Sequence, residues 1–526
     1  MAQNINRAMP APSGVFTRAS SGLVRQIRAD DVMYYGWQQI ALSYIVFIVL
    51  AWNFYPGASM EWATIFATVG GVALAVCYAL LAAVYPRSGG EYVFVSRVVH
   101  PGLGFAVSFS FAFWQIFYYG INGAFLSLYA VSPFFAVLGV QTGNSGLLDV
   151  SDWFSHGAGV FVAGSVMILT MAFLQYRGAG RYFRWQRWAS YVAVVSILIT
   201  VIVLLLTITG AFNFESNFNH FNGAGSYAQV VGSAAMPAGS VTATLNFFIW
   251  PAFSIWFAVA ACSFSGEIKN VQRGQLLGIN GAMISMGLIM ALLMLLYRGA
   301  FGSQFLFNAG ASTDYKLAAP PFVNVLTAIG SNNILLTILE FGWVFAIAFF
   351  VGGTTLVYST RAMLAWSIDG VAPEWLGDVN ERYHSPHWAI LVSVIGGEIW
   401  LALYAFTHLL GPISGFLGFT ISFLVVSLTA VAFPYLKKNV FESSAVAWRI
   451  FSLPVISVVG VIAAAFVIFA IARILVDKNF SANLAFSDWG AIIVVTVGAI
   501  YFYAARAFRR SRGVDIDQRY REIPIE

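Results

Sequence analysis

Twelve long apolar runs are spaced along this chain, and they constrain its fold more than any other feature. They lie near residues 33–53, 62–85, 103–132, 157–176, 188–212, 241–266, 275–297, 333–360, 388–408, 411–436, 450–472 and 487–505. A helix needs about 20 apolar residues to cross the roughly 30 Å of bilayer hydrocarbon, and each run meets that length. The runs are continuous and do not alternate with period two, so they read as helices and not as strands of a barrel. Only 9% of the 526 residues are charged, against about 25% in soluble proteins. So few charges cannot clothe a water-exposed surface, and most of the surface must face lipid. The chain reads as an all-α integral membrane protein with one membrane domain and no sizeable soluble one.

The basic residues test the count of spans. With the N-terminal tail in the cytoplasm and twelve crossings, 23 of the 27 Lys and Arg fall on the cytoplasmic side. Arg298, Lys316, Arg473 and Lys478 fall on the other. The positive-inside rule is satisfied with both termini cytoplasmic. The expected organisation is a tail over 1–30, spans 1 to 10 over 31–440, spans 11 and 12 over 441–508, and a second tail over 509–526. The first 30 residues hold four arginines and no apolar core of signal-peptide type. Cys77 and Cys262 both fall inside spans, which indicates no disulfide framework.

Polar residues inside the runs are the first functional candidates. Gln115, Tyr119 and Asn122 follow spacings of 4 and 3 and share a helix face in the third span. Three polar groups on one face must meet protein or water, as a cavity wall or as interhelical hydrogen bonds. Tyr118 adds polarity beside them, and Gln38 and Gln39 begin the first span, lining a vestibule or solvating its entry. Glu340 and Glu398 are the carboxylates placed well inside spans, each a candidate proton carrier or a buried structural acid. No His/Cys cluster has zinc-ligand spacing and no phosphate-binding loop of Walker type is present, so neither a metal nor ATP is expected.

Three polar segments resemble the amino acid–polyamine–organocation transporter superfamily, in particular its amino acid permeases. They are PRSGGEYVFVSR from Pro86 to Arg97 with the following VVHPGLGF, GEIKNVQRG from Gly266 to Gly274, and the segment from Ser359 to Ile390 containing SIDGVAPEW. The second has Val271 where the family usually has Pro. The resemblance covers roughly residues 25 to 440. It implies a leucine-transporter-type fold of five-plus-five inverted repeats, spans 1 to 5 and 6 to 10, with two additional C-terminal helices. It also implies that the first helix of each repeat breaks near the midplane, where free N–H and C=O groups bind solute.

Counting from the matched segments, the first break falls on Leu42, Ser43, Tyr44, Ile45 and Val46, and the sixth-span break near Ser254, Trp256 and Phe257. The family glycines are absent from both, and Pro251 lies just upstream of the second. Ser43, Tyr44, Ser254, Trp256 and Phe257 join Gln115, Tyr119 and Asn122 as substrate-binding candidates, with ordinary helix packing as the rival reading. Thr354 and Thr355 stand where Na⁺-coupled relatives place hydroxyl ligands, so they join Glu340 and Glu398 as ion-coupling candidates. Glu91, Arg97, Glu267, Lys269, Arg361 and Asp369 are candidates for a cytoplasmic gate of pairing charges, with independent solvated charges as the rival.

The expected function is secondary active transport of amino acids or related small organic amines across the cytoplasmic membrane by alternating access. No enzyme activity and no cofactor is expected, and H⁺ or Na⁺ is the possible coupling ion. The partners are a small-molecule substrate and membrane lipid, not nucleic acid. Two alternatives stay open: a same-fold carrier of a non-amino-acid solute, and a non-transporting membrane sensor. A channel is disfavoured because no repeated pore loop or filter pattern occurs.

Overall fold

The computed structural model describes residues 22–40, 48–49, 51–311, 317, 319–407, 409–410, 413–480 and 485–521. Among them, eleven helices are long and apolar enough to cross a membrane. The first expected span is described as α1, Ala29–Ile40, and again as helix at 51–54. The principal elements that follow are α2 (Met60–Val84), α3 (Glu91–Val98), α4 (Pro101–Phe125), α5 (Ser132–Thr142), α6 (Gly157–Tyr176) and α7 (Ala179–Ile208). After them come α8 (Ile249–Ile255), α9 (Val271–Phe301), α10 (Ile334–Ile368), α11 (His387–Phe406), α12 (Phe416–Leu436), α13 (Val455–Ile474) and α14 (Ala485–Ser511).

Local signals explain several boundaries. Pro101 opens α4, and the His100 ring accepts the Gly102 N–H at 3.1 Å, satisfying a donor that the helix leaves free. Asn270 and Asn333 do the same for α9 and α10, accepting the N–H groups of Arg273 and Leu336. Helix α7 begins nine residues before the apolar run near 188, so Arg181, Arg184 and Arg187 belong to its first turns and not to a loop. Arg187 is held there by Asp31 of α1 at 2.6 Å. Helix α13 starts at Val455 and not at 450, because 449–454 forms a two-residue hairpin with Phe451 and Ser452 at positive φ.

Two helices lose their regular form. The third span continues past α4 through a π-helical stretch, Leu126–Val131, into α5. The sixth is more altered. Short helices Val241–Phe247 and α8 lead into a 3₁₀ stretch, Trp256–Glu267, all of it buried, with Phe264 at φ −112° and ψ 26°. Such stretches rarely exceed three or four residues. Phe264 departs from helical geometry and divides the stretch, and the residues before it, 256–263, span about 16 Å at about 2.0 Å rise, against about 12 Å as α-helix. This segment is therefore held by weaker hydrogen bonds than an α-helix, with side chains eclipsed at i and i+3.

Small residues let the spans approach closely, as membrane interfaces favour. A Cβ on Gly287 of α9 would lie 2.1 Å from Thr68 Oγ1 of α2. One on Gly36 of α1 would lie 2.5 Å from Ala282 Cβ of α9. The polar stretches near 213–240 and 299–331 fold as short helices, Phe214–Asn222, Ser226–Gly232, Ser303–Ala309 and Val323–Ser331. Aromatic contacts such as Tyr227 stacked on Phe305 at 5.3 Å join them over one end of the bundle. The opposite end carries residues 86–100, 267–273 and 361–386, and the described N- and C-terminal stretches return to it.

Candidate functional site

A cavity of about 190 Å³ opens where the irregular sixth span faces α4, α10 and the start of α12. Liquid water takes about 30 Å³ per molecule, so the space matches about six waters or one small organic solute. Trp250, Phe253 and Phe257 line it from the sixth span, and Gln115, Tyr118 and Asn122 from α4. Gln39, Thr355, Ser414 and Phe480 complete the wall used below. Among the described residues no charged side chain lines it. Its chemistry is that of aromatic faces, amides and hydroxyls, and the Gln115 Nε2 donor is buried with no partner among the described residues.

The α4 face differs in one residue from the pattern expected. At about 100° per residue, Tyr119 lies on the far side of the stripe from Tyr118. Its hydroxyl donates to the Ile168 carbonyl of α6 at 2.6 Å, which turns it from the cavity, and Tyr118 takes its place. The sixth-span candidates also divide. Phe257 lines the cavity, whereas Trp256 donates its indole N–H to the Ala67 carbonyl of α2 at 2.9 Å, and Ser254 is buried outside the wall. Trp250, Phe253 and Phe257 repeat at i, i+3 and i+7, a spacing visible in the sequence. Phe480, from the connection before α14, carries no comparable signal. Ser43 and Tyr44 lie outside the described residues.

The ion-coupling candidates are dispersed. Thr354 and Thr355 donate their hydroxyls back to Val351 and Gly352, and the Thr354 carbonyl accepts Tyr35 Oη–H of α1 at 2.8 Å. Glu340 is buried, and neither carboxylate oxygen has a hydrogen-bond partner among the described residues. It sits fifteen residues before Thr355 on α10, about 22 Å along the helix. Glu398 of α11 accepts Ser165 Oγ–H at 2.7 Å.

Among the described residues four of the six gate candidates pair, and Glu91 and Lys269 do not. Arg361 holds Glu267 in a two-point bond of 2.8 and 3.1 Å, joining α10 to the end of the sixth span. Asp369, which caps the C-terminus of α10, pairs with Arg97 of α3 at 2.6 Å and Arg87 at 3.4 Å. All five groups are buried. The Glu267 carbonyl also accepts the Gln26 and Ile27 N–H groups, clipping the N-terminal stretch to this end. Glu91 is buried with Oε1 unpartnered among the described residues, and burial pushes its carboxyl up to about 8. Lys269 is exposed and stands apart from the ion pairs. Sequence reasoning missed Arg87, and also Tyr520, whose hydroxyl meets that of Tyr92 at 2.9 Å and whose ring lies under Arg97.

A multi-pass helical bundle with a small uncharged cavity beside an irregular helix, sealed toward one end by buried ion pairs, has the form of a membrane permease. The family model for amino acid permeases matches residues 37–504, and the chain belongs to that family, within the amino acid–polyamine–organocation superfamily. A search of curated proteins gives no match.

Proposed function

We propose that the protein is a secondary active transporter that moves amino acids or related small organic amines across the cytoplasmic membrane by alternating access. The observation that carries this reading is the cavity against the 3₁₀ segment Trp256–Glu267, closed toward the Arg361–Glu267 and Arg97–Asp369 pairs. A 3₁₀ stretch leaves its hydrogen bonds easily rearranged. Backbone groups freed there, with Gln115 Nε2, supply the recognition of a carboxylate that no wall side chain supplies by charge. Aromatic faces of Phe253, Phe257 and Trp250 suit an apolar or cationic body.

The excess of Lys and Arg on the ion-pair end supports its assignment to the cytoplasm, with both termini there. In this reading spans 1 to 5 and 6 to 10 form the inverted repeats, and spans 1, 2, 6 and 7 rock against spans 3, 4, 8 and 9. A gradient of H⁺ or Na⁺, or exchange, drives the cycle, with Glu340 and Thr355 as the groups to test for coupling. The experiment is uptake into proteoliposomes of labelled amino acids, organic amines and uncharged metabolites, with proton and Na⁺ gradients imposed in turn. Gradient-driven or exchange uptake of an amino acid or amine, weakened about tenfold or more in affinity by Gln115→Leu, is expected. Uptake of uncharged metabolites alone would move the assignment to a non-amino-acid carrier. No uptake across the panel would favour a sensor.

A further inference from the structure

A second pocket, of about 280 Å³, lies at the ion-pair end between α3, the start of α4, the end of the described C-terminal tail, and the ends of α12 and α14. Its floor is made by Arg97 and Tyr520, both buried, and Arg97 Nε there has no partner among the described residues. Its rim carries His100, Lys437 and Arg521, all exposed, and Arg506. Among the described residues the one carboxylate in the wall is Asp517, and it is engaged by Arg506. No ion pair is made by Lys437 or Arg521 among the described residues. Apolar surface borders the cationic rim: Val99 in the pocket wall, and Leu436 immediately before Lys437, are 44% and 57% exposed.

We propose that this pocket binds the phosphate of an anionic phospholipid of the adjoining leaflet, with the acyl chains lying against the exposed face beside Val99 and Leu436. The charge sign, the size and the level of the pocket at the end of two spans all agree with this. Basic pockets between spans at the membrane surface take anionic headgroups for the same reason. A headgroup here would bridge α3, which carries the gate residue Arg97, to the tail that ends at Arg521. It would thereby hold the tail on the closed gate. The proposal rests on reading this end as a membrane–water boundary, not on any transported solute.

The test is the melting temperature of the purified full-length protein in a neutral detergent. It is titrated with phosphatidylglycerol, with phosphatidylcholine and with inorganic phosphate. A saturable rise with phosphatidylglycerol alone is expected. Lys437→Ala with Arg521→Ala should weaken its apparent affinity about 30-fold, about fivefold for each charge lost. Lys437→Arg with Arg521→Lys should retain it. Equal rises with phosphatidylcholine, or an unchanged titration in the double alanine variant, would overturn the proposal. A rise of the same size with inorganic phosphate would overturn the lipid assignment. Binding is read without transport, so loss of uptake activity and loss of this site are separate outcomes.

Discussion

At the residue scale the decisive feature is where charge is buried. Taking an ion pair out of water costs several kcal/mol per ion, and the attraction repays this only when the remaining hydrogen bonds are satisfied. Arg361 and Glu267 meet that condition through two parallel bonds, whereas Arg97 meets Asp369 through one short bond and keeps its Nε without a partner among the described residues. Such pairs contribute little net stability but impose a large penalty when one partner is lost, which suits groups that must meet and part. Glu91 is different, since it is buried with no cation bonded to it among the described residues. Its carboxyl is pushed from 4.5 up to about 8 by desolvation. The unfolded chain loses that proton near 4.5 while the folded protein keeps it to about 8. Folding therefore binds a proton across this window, and the stabilisation is full below 4.5 and lost as the pH rises through 8. Glu91→Gln keeps the neutral shape and removes the titration. The melting temperature of the variant should equal that of the wild type near pH 5 and exceed it at pH 9. Parallel curves from pH 5 to 9 would show that Glu91 does not bind this proton.

At the scale of elements, close approach and irregular backbone do different work. Helices α2 and α9 touch where Gly287 meets Thr68, with no room for a methyl group. Gly287→Ala should destabilise by about 1–3 kcal/mol through overpacking, seen as a lower melting temperature, while Gly490→Ala, in open space on α14, should change little. Equal effects would mean the α2–α9 contact is not tight. The spans themselves were legible, because length and hydropathy are local properties. The run at 157–176 emerges as a helix at the residues expected, and the run at 333–360 as a helix that continues eight residues further, to Ile368. The 3₁₀ form of 256–267 was not legible, since its one glycine, Gly266, stands at its very end and the segment is buried on every side by neighbours distant in sequence. Tyr118 and Tyr119 could not be told apart for a similar reason. Both are polar and one residue apart, and only the Ile168 carbonyl on α6 decides which one turns away. The return of Tyr520 to Tyr92 is likewise a contact across 428 positions, with no pattern in either segment to announce it.

At the scale of the whole molecule, α10 links the two functional regions. Its 35 residues make a rod of about 52 Å, longer than the hydrocarbon is thick. Thr355 on it lines the cavity, and Arg361 and the capping Asp369 make the buried ion pairs of the candidate gate. The sixth span ends at Glu267 on the same gate, so releasing the Arg361–Glu267 pair frees its irregular segment to move while α10 stays rigid. Cys262 reports on this directly. It is a free thiol, fully buried between the cavity and the gate, and five residues from Glu267. In a Cys77→Ser background it should react slowly with a membrane-impermeant maleimide applied from the gate side. Glu267→Gln leaves Arg361 without its carboxylate, and losing one partner of a buried pair costs about 3–5 kcal/mol. Spent against the closed state alone, that is a population shift of about a hundredfold or more. Labelling should accelerate accordingly, with the melting temperature showing that the variant remains folded and Glu267→Asp restoring slow labelling. Labelling that stays slow in folded Glu267→Gln would mean that the pair does not hold this end shut, and the gate would have to be sought in the Arg97–Asp369 contact instead.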